Sequence, residues 1–164
     1  MTASTKHAIR PFLMAAALPL AVAAQIAHTP LQPRVTAADA ATPGYAPASL
    51  TQAYSFSNIV VQQKGSGQTI ALVDAYDDPT VETDLATFNT QFGLPPCTIA
   101  NGCLKVIYAG GTQPPADPTG WSNEIAIDTQ WAHAMAPAAT ILLVEAQSSS
   151  VKDLMAAVNT AVRN

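Results

Sequence analysis

Charge is scarce in this chain: 11% of its 164 residues are Asp, Glu, Lys or Arg, and only seven are basic. Those seven form no cluster, so nothing is present to neutralise a phosphate backbone, and a nucleic-acid partner is excluded. Aromatic residues are few at 6%, yet an apolar content of 49% is too high for a disordered chain. Two cysteines and three unclustered histidines leave too few soft ligands for a zinc centre, so no metal site is expected. No glycine-rich turn follows an apolar strand, because Gly65 and Gly67 stand before one, which removes P-loop and dinucleotide sites. The apolar run from Pro11 to Ala24 is too short for a membrane span.

That N-terminal run has another meaning. Lys6 and Arg10 precede it and Ala21-Val22-Ala23-Ala24 closes it, the pattern of a signal peptide over residues 1–24. Its removal takes away two positive charges and no negative ones, moving the net charge from −4 to −6. The expected product is acidic, secreted or periplasmic, with no stable membrane association after cleavage. Residues 25–43 are rich in Ala, Pro and Thr and read as a linker or arm. Residues 44–164 form one domain. Cys97 and Cys103 flank a segment containing Asn101-Gly102, whose turn can bring the sulfurs together, and an oxidising compartment permits a disulfide there.

Three short apolar runs alternate with three helical patterns. Strands are expected at Gln68–Asp74, Leu104–Tyr108 and Thr140–Glu145. The first helix opens with Asp78 as cap and Pro79 behind it, carries Val81, Leu85, Phe88 and Phe92 on one face, and stops at Gly93. The second runs from Trp121 to Met135 before Pro137. The third follows Ser148–Ser150 with Val151, Leu154, Met155, Val158 and Val162 as its stripe. This order predicts an α/β fold, a parallel sheet with flanking helices, truncated after the third β-α unit.

Ligands of open parallel sheets gather at the carboxyl ends of the strands, where Asp74 stands. The second helix adds a carboxylate pair. At about 100° per residue, Asp128 falls about 40° from Glu124, and Ile127, Trp131 and Met135 share that side. Ala126, Thr129, Gln130 and His133 occupy the opposite side, so His133 is expected at a surface or interface and is no triad partner. Two acids within an apolar stripe are costly to ionise together, so the pair holds a proton between them and acts as an acid/base device. Trp131 either walls such a site or packs in the core.

Several stretches resemble the sedolisins, the serine-carboxyl peptidases with a subtilisin-like fold. They are Gly44-Tyr45-Ala46-Pro47 through Ala53-Tyr54, Gly67 through Asp74, and Glu124-Ile125-Ala126-Ile127-Asp128 followed by Ala134-Met135-Ala136-Pro137. The resemblance implies the N-terminal part of a catalytic domain acting in acid on a peptide or protein substrate. In it Glu124 takes the proton of a serine, Asp128 hydrogen-bonds Glu124, and Asp74 stands behind them as a proton partner. The family's Gly-Thr-Ser nucleophile segment, oxyanion Asp, long propeptide and C-terminal calcium site have no counterpart here. The chain by itself is therefore expected to lack activity and cofactor, calcium belonging to complete members. The alternatives are a non-catalytic secreted α/β module or degenerate remnant, and a metal-dependent hydrolase using Asp74, Asp77 and Asp78.

Overall fold

The computed structural model describes residues 45–56 and 64–164. The signal peptide expected over 1–24 and the arm over 25–43 lie outside them. The described chain opens with a short helix, α1 (Pro47–Ala53), started by a proline that fits the first helical turn. Sequence periodicity gives no warning of it, because seven residues are too few to show a stripe.

The expected alternation then follows: β1 (Thr69–Ala75), α2 (Val81–Phe92), β2 (Leu104–Tyr108), α3 (Trp121–Met135), β3 (Thr140–Ala146) and α4 (Val151–Val162). The sheet is parallel with order β1-β3-β2. β3 is thus central and buried on both faces, as its unbroken apolar run requires. Ile141 and Leu143 face a cluster with Leu85 of α2 and Ile125 of α3. Leu142, Val144 and Ala146 face Ala157 of α4. The molecule is therefore a three-layer α/β arrangement, with α2 and α3 on one face and α4 on the other. Among the described residues no helix is long and apolar enough to cross a membrane.

Two local expectations are corrected. α2 begins at Val81 and not at Pro79, because the Asp78 carboxylate accepts the Thr80 N–H (3.1 Å) and hydroxyl (2.9 Å), a side-chain turn placed ahead of the helix. Apart from Leu154, the stripe of α4 does not lie on the sheet. Ala157 is its buried residue, with Leu154 and Ala161 beside it, whereas Val151, Met155, Val158 and Val162 are exposed. Small alanines let the helix approach the sheet closely and turn the larger side chains outward.

Glycine is required where the chain enters β1. Gly65 has φ 87°, and a Cβ there would come within 2.8 Å of the Ala139 Cβ. The turn is pinned to the α3–β3 connection by the Ala138 N–H donating to the Lys64 carbonyl (2.9 Å). This fixes β1 against β3 and so sets where β1 ends.

Candidate active site

Asp74 and Glu145 are cross-strand neighbours at the carboxyl end of the sheet. Strand alternation puts both on the face that carries α2 and α3, with Ile70, Leu72, Ile141 and Leu143. They are 2% and 0% exposed, and each keeps one carboxylate oxygen without a hydrogen-bond partner. Burial, then the charge of Asp128, then that of Glu124 push the Asp74 pKa up to about 7. The structure thus brings together the three acids named from sequence: one at the end of β1, two on α3. Burial followed by Asp128 raises Glu124, and burial raises Asp128. The coupling is through space, since no hydrogen bond joins Glu124 to Asp128.

The face of α3 that is most buried differs from the expected one. Trp121, Ile125, Ala126, Thr129, Gln130, His133 and Ala134 are buried, while Glu124, Ile127, Asp128, Trp131 and Met135 are half-buried. Hydropathy counted Thr129 and His133 as outward residues, yet both find polar partners inside. The Thr129 hydroxyl donates to the Ile125 carbonyl (2.7 Å), and His133 Nε2 donates to the Pro95 carbonyl (2.9 Å). His133 is therefore an interior histidine, 0% exposed, and not a surface one. Burial lowers its pKa, with the Pro95 bond opposing. Trp131 packs edge-on against Phe88 of α2 with centroids 6.0 Å apart, a core contact. The acids sit on the flank of α3 that is partly open.

Asp117 anchors the start of α3. Its carboxylate accepts the N–H groups of Thr119 (2.7 Å), Gly120 (2.8 Å) and Ser122 (2.9 Å), and the Ser122 hydroxyl also donates to it (3.2 Å). Burial opposes ionisation, but these backbone bonds outweigh it and hold the Asp117 pKa below the usual range. Asp117 thus anchors the first turn of α3, the turn that carries Glu124. Ser122 is helix N-terminal polarity, as its sequence position indicates.

Glu145 is the residue that sequence reading missed. Its Oε1 accepts the Asp78 N–H at 3.3 Å. Burial pushes its pKa up to about 8, the Asp78 bond pulls down, and the nearby Asp77 and Asp78 charges and a hydrogen bond with Asp77 push up further. Asp77 also accepts from Gln113 Nε2 (3.0 Å), and its backbone bridges to the 115–117 segment. Tyr76, at φ 67°, makes the sharp turn that folds Asp77 and Asp78 back toward Glu145. The available signal was an acid closing an apolar strand, the same one that marked Asp74.

Cys97 and Cys103 form the expected disulfide. Closing so short a loop contributes about 2 kcal/mol. Asn101 Oδ1 braces the loop by accepting the N–H groups of Thr98 (3.1 Å) and Cys103 (3.0 Å). Among the described residues, three metal-ligand atoms converge at Cys97, Cys103 and His133, and no such group is formed by Asp74, Asp77 and Asp78. The metal-dependent hydrolase reading has no cage to rest on among them.

No family model matches the chain, and no solved structure matches it. It is 33% identical over 129 residues to Kumamolisin from Bacillus sp. (strain MN-32), an alignment covering 76% of this chain and 21% of that protein. The chain thus spans about a fifth of the length of the curated relative it matches. Kumamolisin is a sedolisin-family peptidase, and the likeness extends over one stretch of its length.

Proposed function

We propose that this chain carries the general-base part of a secreted serine-carboxyl endopeptidase that cleaves peptide or protein substrates in acid. The observation that carries the reading is the convergence of Asp74, Glu124 and Asp128, three acids from two elements whose ionisation is suppressed together. Glu124 is assigned the base. It takes the hydroxyl proton of a serine as the serine oxygen bonds to the scissile carbonyl carbon, and returns that proton to the leaving amine. Asp128 shares charge with Glu124, and Asp74 holds a proton beside both. The chain contains no Gly-Thr-Ser segment, so the serine and the oxyanion donors are assigned to none of its residues.

Proton occupancy supports acid operation. With its pKa near 7, Asp74 is mostly protonated below neutrality, which spares the α3 pair a third negative charge. Raising the pH strips that proton and sets three carboxylates against one another. Secretion rests on the pattern of residues 1–24 alone.

Grafting the matched stretch, 76% of this chain, into Kumamolisin in place of the aligned stretch tests the assignment. A graft whose circular dichroism is native is expected to cleave acid-denatured protein below neutral pH. Glu124→Gln should lower kcat by roughly a hundredfold or more, the usual worth of a positioned general base, and Asp128→Ala should lower it too. A folded graft without activity, or a Glu124→Gln graft at full rate, would sink the proposal.

A further inference from the structure

We propose that, once its disulfide is reduced, this chain binds a thiophilic divalent cation such as zinc between the Cys97 and Cys103 thiolates and the imidazole of His133. The three come from separate places: the segment after α2, the residue before β2, and the last turn of α3. Their ligand atoms all lie within 4.8 Å of one another. Tetrahedral zinc sets its sulfurs about 3.8 Å apart and holds a nitrogen about 3.5 Å from each. His133 Nδ1 already stands 3.9 Å from Cys103 Sγ.

The imidazole is prepared for this role. A carbonyl only accepts, so His133 Nε2, 2.9 Å from the Pro95 oxygen, must carry the hydrogen. In the neutral ring, Nδ1 then keeps its lone pair, and Nδ1 is the nitrogen that stands 3.9 Å from the sulfur. Metal-bound histidines are commonly oriented by just such a backbone carbonyl on the other nitrogen. The ring is fully buried while Cys103 is half-buried and the intervening Ile99 to Gly102 are exposed. Cys97 is buried at 1% exposure, so the ion would enter from the Cys103 side past these exposed residues, with the fourth position left to water, as in zinc sites with three protein ligands.

The switch is a redox one. In the oxidised chain the sulfurs are bonded to each other and neither is a thiolate. A dithiol reductant supplies two electrons and two protons, the S–S bond breaks into two thiols, and the reductant leaves as its own disulfide. Binding of the cation then releases the two thiol protons. The ion in turn protects the thiolates from reoxidation.

The test uses the full 164-residue chain, reduced with a phosphine that becomes its oxide, and zinc chloride as probe. Native mass spectrometry is expected to show one zinc per reduced chain and none on the oxidised chain. Competition with a chromophoric chelator should place His133→Gln at least tenfold weaker, since the glutamine amide keeps a donor for the Pro95 oxygen but offers no Nδ1 ligand. Cys97→Ser should weaken binding further. Nitrogen chemical shifts of the unmutated reduced chain give a second measurement, with the Nδ1 resonance of His133 expected to move on zinc addition. Absence of zinc on the reduced chain, undiminished affinity in His133→Gln, or an unmoved Nδ1 resonance would each overturn the proposal.

Discussion

Side-by-side burial of Asp74 and Glu145 makes stability depend on protons. In the unfolded chain these acids titrate near their ordinary values of 3.8 and 4.5, and in the fold they titrate at about 7 and about 8. Because the folded values are raised, the stability that protonation confers is fully present below the unfolded values and is lost as pH rises toward the folded ones. Unfolding free energy is expected to fall by on the order of several kcal/mol between about pH 4 and pH 8, measured by urea titration. Glu145→Gln keeps an acceptor for the Asp78 N–H and removes the charge, so its profile should be flatter and its stability at neutral pH higher. A profile unchanged by Glu145→Gln would refute this account of the residue. Asp74 was legible in the sequence because it closes an apolar strand at the end where ligands gather. Glu145 closes one equally well, but its partner is set by the register Asp74↔Glu145, which no single strand encodes. His133 was misplaced because its partner, the Pro95 carbonyl, is 38 residues away in the chain.

Elements were read more faithfully than faces. Strong local signals gave β2 and α3 at their observed bounds and the other strands to within a residue: β-branched apolar runs for strands, and for α3 the Pro137 stop. The faces of α3 and α4 escaped because hydropathy does not say which small or polar side chains will find partners inside, and both helices bury Ala in preference to some larger apolar residues. Asp117 shows the same limit at a helix start. It lies outside α3, yet it accepts three backbone N–H groups there. Asp117→Ala is expected to cost about 1–2 kcal/mol at neutral pH, in line with the loss of a helix cap. Its pKa is depressed in the fold, so the stabilisation is present above the unfolded value and is lost as pH falls through the folded one. Chemical denaturation of both proteins should therefore show a gap that holds through mild acid and closes only in strong acid. A gap already closed at mildly acidic pH would mean that the carboxylate is not the cap.

At the scale of the whole molecule, the described sheet has two edges and one incompletely covered flank. β1 and β2 are its edges, and Lys105 on β2 supplies the kind of charge that discourages strand pairing, whereas β1 carries none before Asp74. On the outer side of α4, Val151, Met155, Val158 and Val162 form an exposed apolar stripe, with Met155 53% exposed. Such a patch on a small domain favours association through the hydrophobic effect. Opposing it is the net negative charge, which vanishes near the sequence pI of about 5.1. Self-association is therefore expected to strengthen as the pH is lowered from neutral toward 5, in the range where protonation of Asp74 and Glu145 makes the fold itself more stable. The weight-average mass from sedimentation equilibrium should rise with concentration at about pH 5, and less at pH 8. Met155→Glu places a charge in the middle of the stripe without touching the sheet-facing Ala157 and Leu154, so it should suppress the rise and leave the melting temperature nearly unchanged. A chain that stays monomeric at high concentration near its pI, or a Met155→Glu variant that associates as strongly as the unmutated one, would show that this face is not adhesive.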